Sequence, residues 1–304
     1  MRDFNKSRRQ VLFNGAGTIA GVVLGCCSVP VAKTTVSEIE QQRFKIGICD
    51  WTLGKMAEPA ALEAARRLGF DGVQADFGMV EDNLPVLHKP ELQKEYQELS
   101  QKHNIQVQSF AMGALSSVPL KNNPRGVTWL LECIGVCKAM DVKTVLIPFF
   151  GRGDLANDKV GRNAVAERLR QITPKAEETG IVFAIESWLS AAEDMEIIER
   201  VGSPAVKVYY DVANSHKAGH DIYEEIRLLG RHICEFHAKD YDGPFGRGSI
   251  DFKEVRLAID DIGYRGWIIF ESSLWEPKAT LAPEIEGGFL YNLKYLREIF
   301  PLKI

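Results

Sequence analysis

Short apolar runs recur along the chain, and more polar stretches with helical periodicity separate them. The runs are five or six residues long, and their centres lie about 32 residues apart, the length of one strand followed by a crossover helix. The eight runs are Phe44–Cys49, Gly72–Asp76, Ile105–Phe110, Thr144–Pro148, Ile181–Glu186, Val206–Asp211, Ile233–His237 and Trp267–Glu271. They are too continuously apolar for strands with one solvated face, and they are typical of a parallel sheet covered on both faces.

The stretches between the runs predict amphipathic helices with defined ends. Pro59 suits the first turn of a helix that stops at Gly69, and Asp251 with Glu254 predicts the start of another. Eight strand–helix units predict closure into a (β/α)8 TIM barrel of the α/β class, formed by one domain over residues 43–301. An open doubly wound sheet is the alternative, but the first run lacks the Gly-rich nucleotide loop typical of that fold.

Residues 1–32 precede this repeat and have the features of an export signal. Arg8-Arg9 opens the apolar stretch Val11–Leu24, which is shorter than the ~20 residues that span a bilayer. We expect a twin-arginine signal peptide followed by a short linker, and hence a periplasmic protein; an N-terminal membrane anchor or a core helix is the alternative. The segment ending at Cys26 resembles a lipobox, so lipid anchoring at Cys26 and cleavage near Ala32 are both open.

Composition and charge restrict the class of protein. The 304 residues are 45% hydrophobic and 26% charged, as in globular proteins, and the formal net charge is −4. Removal of residues 1–25 deletes four basic residues and one acidic residue, which leaves the mature chain at about −7. An acidic chain without a basic cluster argues against nucleic acid as a partner, because phosphate contacts supply most of that affinity.

Four consecutive runs end in a side chain that can bind a metal. Glu186, Asp211, His237 and Glu271 end the fifth to eighth runs, and strand ends of a barrel meet at one rim. Taken singly, each has a structural explanation: a rim salt bridge for a glutamate, a helix cap for Asp211, or a hydrogen-bonded core position for His237. Together, three carboxylates and one imidazole predict a site for one divalent cation, Mn²⁺ or Mg²⁺, with Co²⁺ or Zn²⁺ as alternatives.

These four residues resemble the metal set of the xylose-isomerase-like TIM barrels, a superfamily of sugar (phosphate) isomerases and epimerases. Supporting segments are Ile185–Ser187, Tyr210–Asn214, His237–Asp240 and Gly246–Phe252, and the resemblance covers about residues 43–300. It implies that Glu186 and Glu271 are both metal ligands and the acid/base pair, while Asp211 and His237 are ligands only. Isomerisation or epimerisation removes a carbon-bound proton and forms an enediolate, whose charge a cation stabilises.

Further residues near the strand ends are candidate substrate contacts: Asn214, His216, Lys239, Arg247, Trp51 and Trp188. Helix capping is the alternative for Asn214, and Lys239 is a candidate either for binding an oxyanion or for neutralising Glu271. Phe149 and Trp275 are, like the two tryptophans above, candidate apolar walls against a sugar ring. Many relatives have Glu where this chain has Arg247, so the role of Arg247 is open.

The favoured function is a metal-dependent isomerase or epimerase. Because phosphorylated sugars are chiefly intracellular, an exported enzyme meets free or keto sugars or cyclitols, and we expect such a small molecule as its partner. A dehydratase or lyase on the same site is the alternative, since the same enediolate can expel a β-hydroxyl; a non-catalytic sugar-binding barrel is a further one. The related apurinic endonucleases need several more metal-binding histidines than this chain supplies. A homo-oligomer is compatible with the sequence but not specified by it.

Overall fold

The computed structural model describes residues 44–272 and 285–301, which form a closed barrel of eight parallel strands. The barrel strands are β1 Lys45–Cys49, β2 Gly72–Asp76, β3 Gln106–Ala111, β4 Thr144–Pro148, β5 Val182–Glu186, β6 Val206–Asp211, β7 Ile233–Ala238 and β8 Trp267–Phe270. Each strand pairs with its neighbour in sequence, and β8 pairs with β1 to close the barrel. The predicted TIM barrel is confirmed, with every predicted strand within one residue of the observed one at each end.

Helices connect the strands on the outside of the barrel. Their bounds are α1 Ala60–Leu68, α2 Pro90–His103, α3 Arg125–Met140, α4 Lys159–Thr179, α5 Ala191–Val201, α6 Val212–Lys217, α7 Ile222–Leu229, α8 Phe252–Asp261 and α9 Ile285–Ile299. A short antiparallel hairpin, Val80–Glu81 with Leu84–Pro85, follows β2. The predicted helix ends are confirmed: Gly69 ends α1 with φ 93°, and the side chain of Asp251 accepts the backbone N–H groups of Lys253 and Glu254.

Two apolar regions stabilise the fold. The larger lies between strands and helices and contains fully buried aromatic side chains such as Trp129 and Phe183. The smaller fills the barrel interior with Cys49, Ala111, Leu146, Ala184, Tyr209 and Ile269. Because side chains alternate along a strand, Glu186, Asp211 and Glu271 share a face with Ala184, Tyr209 and Ile269, two residues earlier. The four predicted ligands therefore lie above the interior packing, at the carboxyl end of the barrel.

A glycine in β1 allows this close interior packing. A Cβ atom at Gly47 would lie 2.7 Å from Ile269 Cδ1 and 3.1 Å from the carbonyl oxygen of Gly72. We expect Gly47→Ala to lower the free energy of unfolding by about 1–3 kcal/mol, the usual cost of overpacking a core. Gly135→Ala is the matched control, because a Cβ there meets nothing within 4 Å and alanine favours the helix. Urea unfolding of both variants checks this; equal stability of Gly47→Ala and the wild type would contradict it.

Some expectations from the sequence concern residues outside the described part of the structure. The predicted signal peptide, residues 1–32 with Cys26, lies outside the described residues, as does Trp275. Among the residues that the structure describes, no helix is long and apolar enough to cross a membrane. Cys49, Cys133, Cys137 and Cys234 carry free thiols.

Candidate metal centre and active site

The four predicted ligands converge at the carboxyl ends of β5 to β8. One ligand atom from each of Glu186, Asp211, His237 and Glu271 lies within 4.8 Å of the others. His237 Nδ1 is 3.1 Å from Glu186 Oε1, 3.5 Å from Glu271 Oε2 and 3.9 Å from Asp211 Oδ2. Strand register contributes directly, because Asp211 and His237 are paired positions on β6 and β7. These four residues, which we call the carboxylate–histidine cluster, can hold one metal ion.

Asp211 has two oxygens with different environments. Its Oδ1 accepts the backbone N–H groups of Ala213 and Asn214, and so caps the short helix α6. Its Oδ2 is buried and has no hydrogen-bond partner. Buried carboxylate oxygens without a partner are costly, so this atom favours a cation as its neighbour. The helix cap and the metal ligand, given as alternatives for Asp211 from the sequence, are compatible in one side chain.

The carboxylates of the cluster have unequal proton affinities. Burial raises the pKa of Asp211 to about 8, opposed by the Lys239 charge and assisted by the charges of Glu271 and Glu186. Burial also acts to raise the pKa of Glu271, but the positive charges of Lys239 and His237 outweigh it and lower the pKa to about 2. Glu271 is therefore ionised at neutral pH, whereas Asp211 retains a proton until a cation replaces it.

Lys239, a predicted substrate contact, lies against the cluster. Its Nζ is 3.0 Å from Glu271 Oε2 and 3.7 Å from Asp211 Oδ2. Burial lowers the pKa of Lys239, but the charges of Glu271 and Asp211 outweigh burial and raise it well above its usual value. When Asp211 is deprotonated and His237 is neutral, as metal ligands must be, three carboxylates and this ammonium leave two negative charges, which one divalent cation balances. The donor set thus fits a divalent ion in both charge and chemistry.

The imidazole of His237 is held from the opposite side by Gln74 on β2. Gln74 Oε1 lies 2.7 Å from His237 Nε2, and Gln74 Nε2 donates to Ser109 Oγ at 3.0 Å. A carbonyl acceptor at Nε2 keeps a proton on that nitrogen, so when His237 loses its other proton to bind a cation, the Nδ1 lone pair is directed at the cluster. The rings of Tyr209 and Trp51 pack on the same imidazole, at 4.4 Å and 6.1 Å between centroids. Gln74 thus selects the tautomer that binds a metal.

Removal of this acceptor has a measurable consequence. We expect Gln74→Leu to weaken Mn²⁺ binding about 10–100-fold, the usual effect of losing the partner of a ligating histidine. Gln74→Glu should retain most of the affinity, because its carboxylate still accepts the Nε2 proton. Calorimetric titration with Mn²⁺ measures both variants; equal affinities for Gln74→Leu and the wild type would show that the tautomer is fixed by other groups.

Two further carboxylates, which the sequence analysis did not select, hold the loops beside the cluster. Asp50 Oδ2 accepts the backbone N–H groups of Ala57 and Asp76, and the two oxygens of Asp76 accept those of Gly78 and Gly113. Burial raises the pKa of Asp76 to about 6. Asp76 is the last residue of β2, so the signal that selected the four ligands, a carboxylate or histidine at the end of a strand, is present here too.

The cluster opens into a cavity of about 600 Å³. Glu186 and Glu271 lie on its wall, together with Trp51 and residues from the ends of β2 to β4. The Trp51 indole Nε1 donates to Glu271 Oε1 at 3.0 Å, and Asn214 Nδ2 donates to Glu186 Oε1 at 3.1 Å. Trp51 and Lys239 therefore orient Glu271, and Asn214 orients Glu186, while both glutamates line the cavity.

The other predicted substrate contacts lie at varied distances from this cavity. Trp188 packs edge-on against Phe150, which lines the cavity, with ring centroids 5.4 Å apart. His216 is exposed on α6, and Arg247 is exposed with its guanidinium 5.0 Å from the centre of the Tyr291 ring. Phe149 is buried in the core between strands and helices, so its expected role as a cavity wall is wrong, and the neighbouring Phe150 occupies that place.

Comparison with known proteins agrees with this architecture. The 2-epi-5-epi-valiolone 7-phosphate 2-epimerase of an Actinoplanes species is 26% identical over 178 residues, which are 58% of this chain and 65% of that protein. The chain thus spans slightly less than two thirds of that relative. The structure of L-ribulose 3-epimerase has a TM-score of 0.70 at 19% identity and covers 84% of this chain and 94% of its own. The structure of 3-keto-D-glucoside 4-epimerase from Escherichia coli has a TM-score of 0.68 at 15% identity. That match covers 84% of this chain and 100% of the epimerase chain.

The profile of one protein family matches most of the barrel, over residues 62–298. That stretch contains all four members of the carboxylate–histidine cluster and the strands that carry them. The chain therefore belongs to the family of xylose isomerase-like TIM barrels.

Proposed function

We propose that this protein is a divalent-metal-dependent epimerase or isomerase of an unphosphorylated keto sugar or cyclitol. The observation that carries the proposal is the pair Glu186 and Glu271, which flank Asp211 and His237 and both line the cavity. Relatives and structural neighbours named as sugar epimerases support the reaction class. The donor set of the cluster favours Mn²⁺ or Mg²⁺, with Co²⁺ or Zn²⁺ as alternatives.

The two glutamates provide the proton transfers. Glu271, kept ionised by Lys239, accepts the proton from the carbon beside the carbonyl group of the sugar. Glu186, oriented by Asn214 and carrying a proton taken up from solvent, gives that proton to the enediolate from the other side. Glu271 then releases its proton to solvent, which restores the pair for the next turnover. A divalent cation bound to the cluster supplies the positive charge that stabilises the enediolate oxygens. Trp51, through its hydrogen bond to Glu271 Oε1, keeps that carboxylate facing the substrate.

A panel of sugars tests this reaction. Metal-stripped protein is incubated with or without Mn²⁺ and with D-fructose, D-psicose, D-tagatose, L-ribulose or an inosose, and the products are separated and weighed by mass spectrometry. Epimerisation gives a new sugar of unchanged mass only when Mn²⁺ is present. A product lighter by one water indicates the dehydratase alternative, and binding without turnover of any sugar indicates a non-catalytic barrel.

We propose in addition that the protein is exported through the twin-arginine route. Arg8-Arg9 and the apolar stretch that follows support this, with Cys26 as the candidate lipid anchor. Fractionation of cells expressing the full chain, compared with an Arg8→Lys/Arg9→Lys variant, tests it; retention of both in the cytoplasm would contradict it. A homo-oligomeric state stays a prediction.

A further inference from the structure

The cavity wall away from the carboxylate–histidine cluster is apolar. Met79 and Val80 from the loop after β2, Ala114 and Val118 from the loop after β3, and Phe150 after β4 form this wall, which we call the apolar wall. None of the described residues that line the cavity is Lys, Arg or His. A phosphate group seated here would lose its hydration without meeting a cationic side chain.

The polar groups near the apolar wall offer little to a hydroxyl-rich substituent. Asp76 uses both carboxylate oxygens to bind backbone N–H groups, those of Gly78 and Gly113. Away from the cluster, the other polar side chains of the described lining are Ser116 and Ser117. A second sugar ring would bury more hydroxyl groups than these side chains can satisfy, and unsatisfied buried hydroxyls are costly.

Two methionines expose apolar surface at the entrance of the cavity. Met79 is 75% exposed and Met56 is 50% exposed, and both belong to the cavity lining. Methionine is flexible and polarisable, and it adapts to apolar ligands of different shapes. The volume of about 600 Å³ lies in the ~300–1,000 Å³ range of pockets that bury drug-sized ligands, so a single free sugar leaves part of it unfilled.

We propose that the substrate is a keto sugar with an uncharged apolar substituent, such as the alkyl or aryl glycoside of a sugar that carries a carbonyl group on its ring. The sugar lies against Glu186 and Glu271, and the substituent lies against the apolar wall, between Met79, Val118 and Phe150. This inference rests on the proposed function for the identity of the reacting part and adds the chemical class of the non-reacting part. Binding energy from that part positions the sugar at the two carboxylates.

Calorimetric titration of the full, Mn²⁺-loaded protein with three probes tests the inference. The probes are phenyl β-D-glucopyranoside, methyl β-D-glucopyranoside and glucose 6-phosphate. Since each buried methylene-sized group contributes roughly fourfold to affinity, we expect the phenyl glycoside to bind at least about tenfold more tightly than the methyl glycoside. Glucose 6-phosphate should bind no better than the methyl glycoside.

Substitutions locate the binding surface. Met79→Lys and Val118→Lys should each reduce the ratio of the phenyl glycoside affinity to the methyl glycoside affinity towards one. Because Met79 is exposed, we expect lysine at this position to leave folding unchanged. Val160→Lys is the matched control, because Val160 is 80% exposed on α4 and does not line the cavity. Equal affinity for the two glycosides, no binding of the phenyl glycoside, tighter binding of glucose 6-phosphate, or an unchanged ratio in both variants would overturn the inference.

These outcomes are independent of those for the proposed function. A phenyl preference without turnover of any ketose, inosose or phenyl keto-glycoside supports the apolar subsite and refutes the epimerase activity. Turnover of free ketoses without a preference for the phenyl glycoside supports the epimerase activity and refutes the apolar subsite.

Discussion

Glu271→Gln is expected to lower kcat about 10²–10⁴-fold at saturating Mn²⁺, because the amide cannot accept the proton that leaves the sugar carbon. The substitution preserves the size of the side chain, and one amide oxygen remains to accept from Trp51 or Lys239. A ligand of the cluster is also weakened, so the Mn²⁺ affinity should fall together with kcat. Steady-state kinetics over a range of Mn²⁺ concentrations separate the two effects, since excess metal restores binding but not proton transfer.

The matched control for this variant is Glu224→Gln. Glu224 is exposed on α7, so its loss of charge should leave kcat and Mn²⁺ affinity unchanged. An unchanged kcat in Glu271→Gln would remove Glu271 from the acid/base role, whatever its contribution to metal binding.

Asp211→Asn is expected to lower the affinity for Mn²⁺ by more than about 100-fold. This loss exceeds that expected for Gln74→Leu, which removes only the hydrogen-bond partner of a ligand. The asparagine Oδ1 still accepts the N–H groups of Ala213 and Asn214, so the cap of α6 is retained, while the buried Oδ2 is replaced by a neutral N–H₂ group. Asp211→Ala removes both functions and should cost about 1 kcal/mol more in the free energy of unfolding, the usual value of a helix cap.

In the metal-free protein, the stability of Asp211→Asn should depend on pH differently from that of the wild type. The folded pKa of Asp211 is raised from 3.8 to about 8, so its contribution to stability is present at low pH and is lost as the pH rises towards 8. Metal-free Asp211→Asn should lack this loss and exceed the wild type in stability at pH 8. Urea unfolding at pH 5 and pH 8 measures this; a wild type and variant with parallel pH profiles would contradict the raised pKa.

The barrel and its carboxylate–histidine cluster were predictable because one periodicity determines both. A repeat of about 32 residues sets the number of strands, and the last residue of each parallel strand reaches the same rim. Alternation along each strand then decides that Glu186 and Glu271 point inward with Ala184 and Ile269. None of these steps requires knowledge of loop conformation.

The remaining parts of the site depend on contacts that this periodicity does not determine. Gln74 lies inside a predicted strand like any polar core residue, and only closure of the barrel brings β2 across from β7 to meet His237. Phe149 and Phe150 are both aromatic, and a shift of one residue exchanges the side chain that faces the core for the one that faces the cavity. Arg247 lies in a loop, whose direction no strand register fixes.

In the proposed reaction, the two glutamates exchange a carbon-bound proton of a sugar at a metal site. Incubating the Mn²⁺-loaded protein with the sugar panel in D₂O, followed by mass spectrometry and NMR of the products, tests it most directly. At least one sugar should gain a single deuterium at the carbon beside its carbonyl group, and Glu271→Gln or removal of Mn²⁺ should abolish the exchange. A new epimer formed without deuterium, or no exchange into any sugar of the panel, would contradict it.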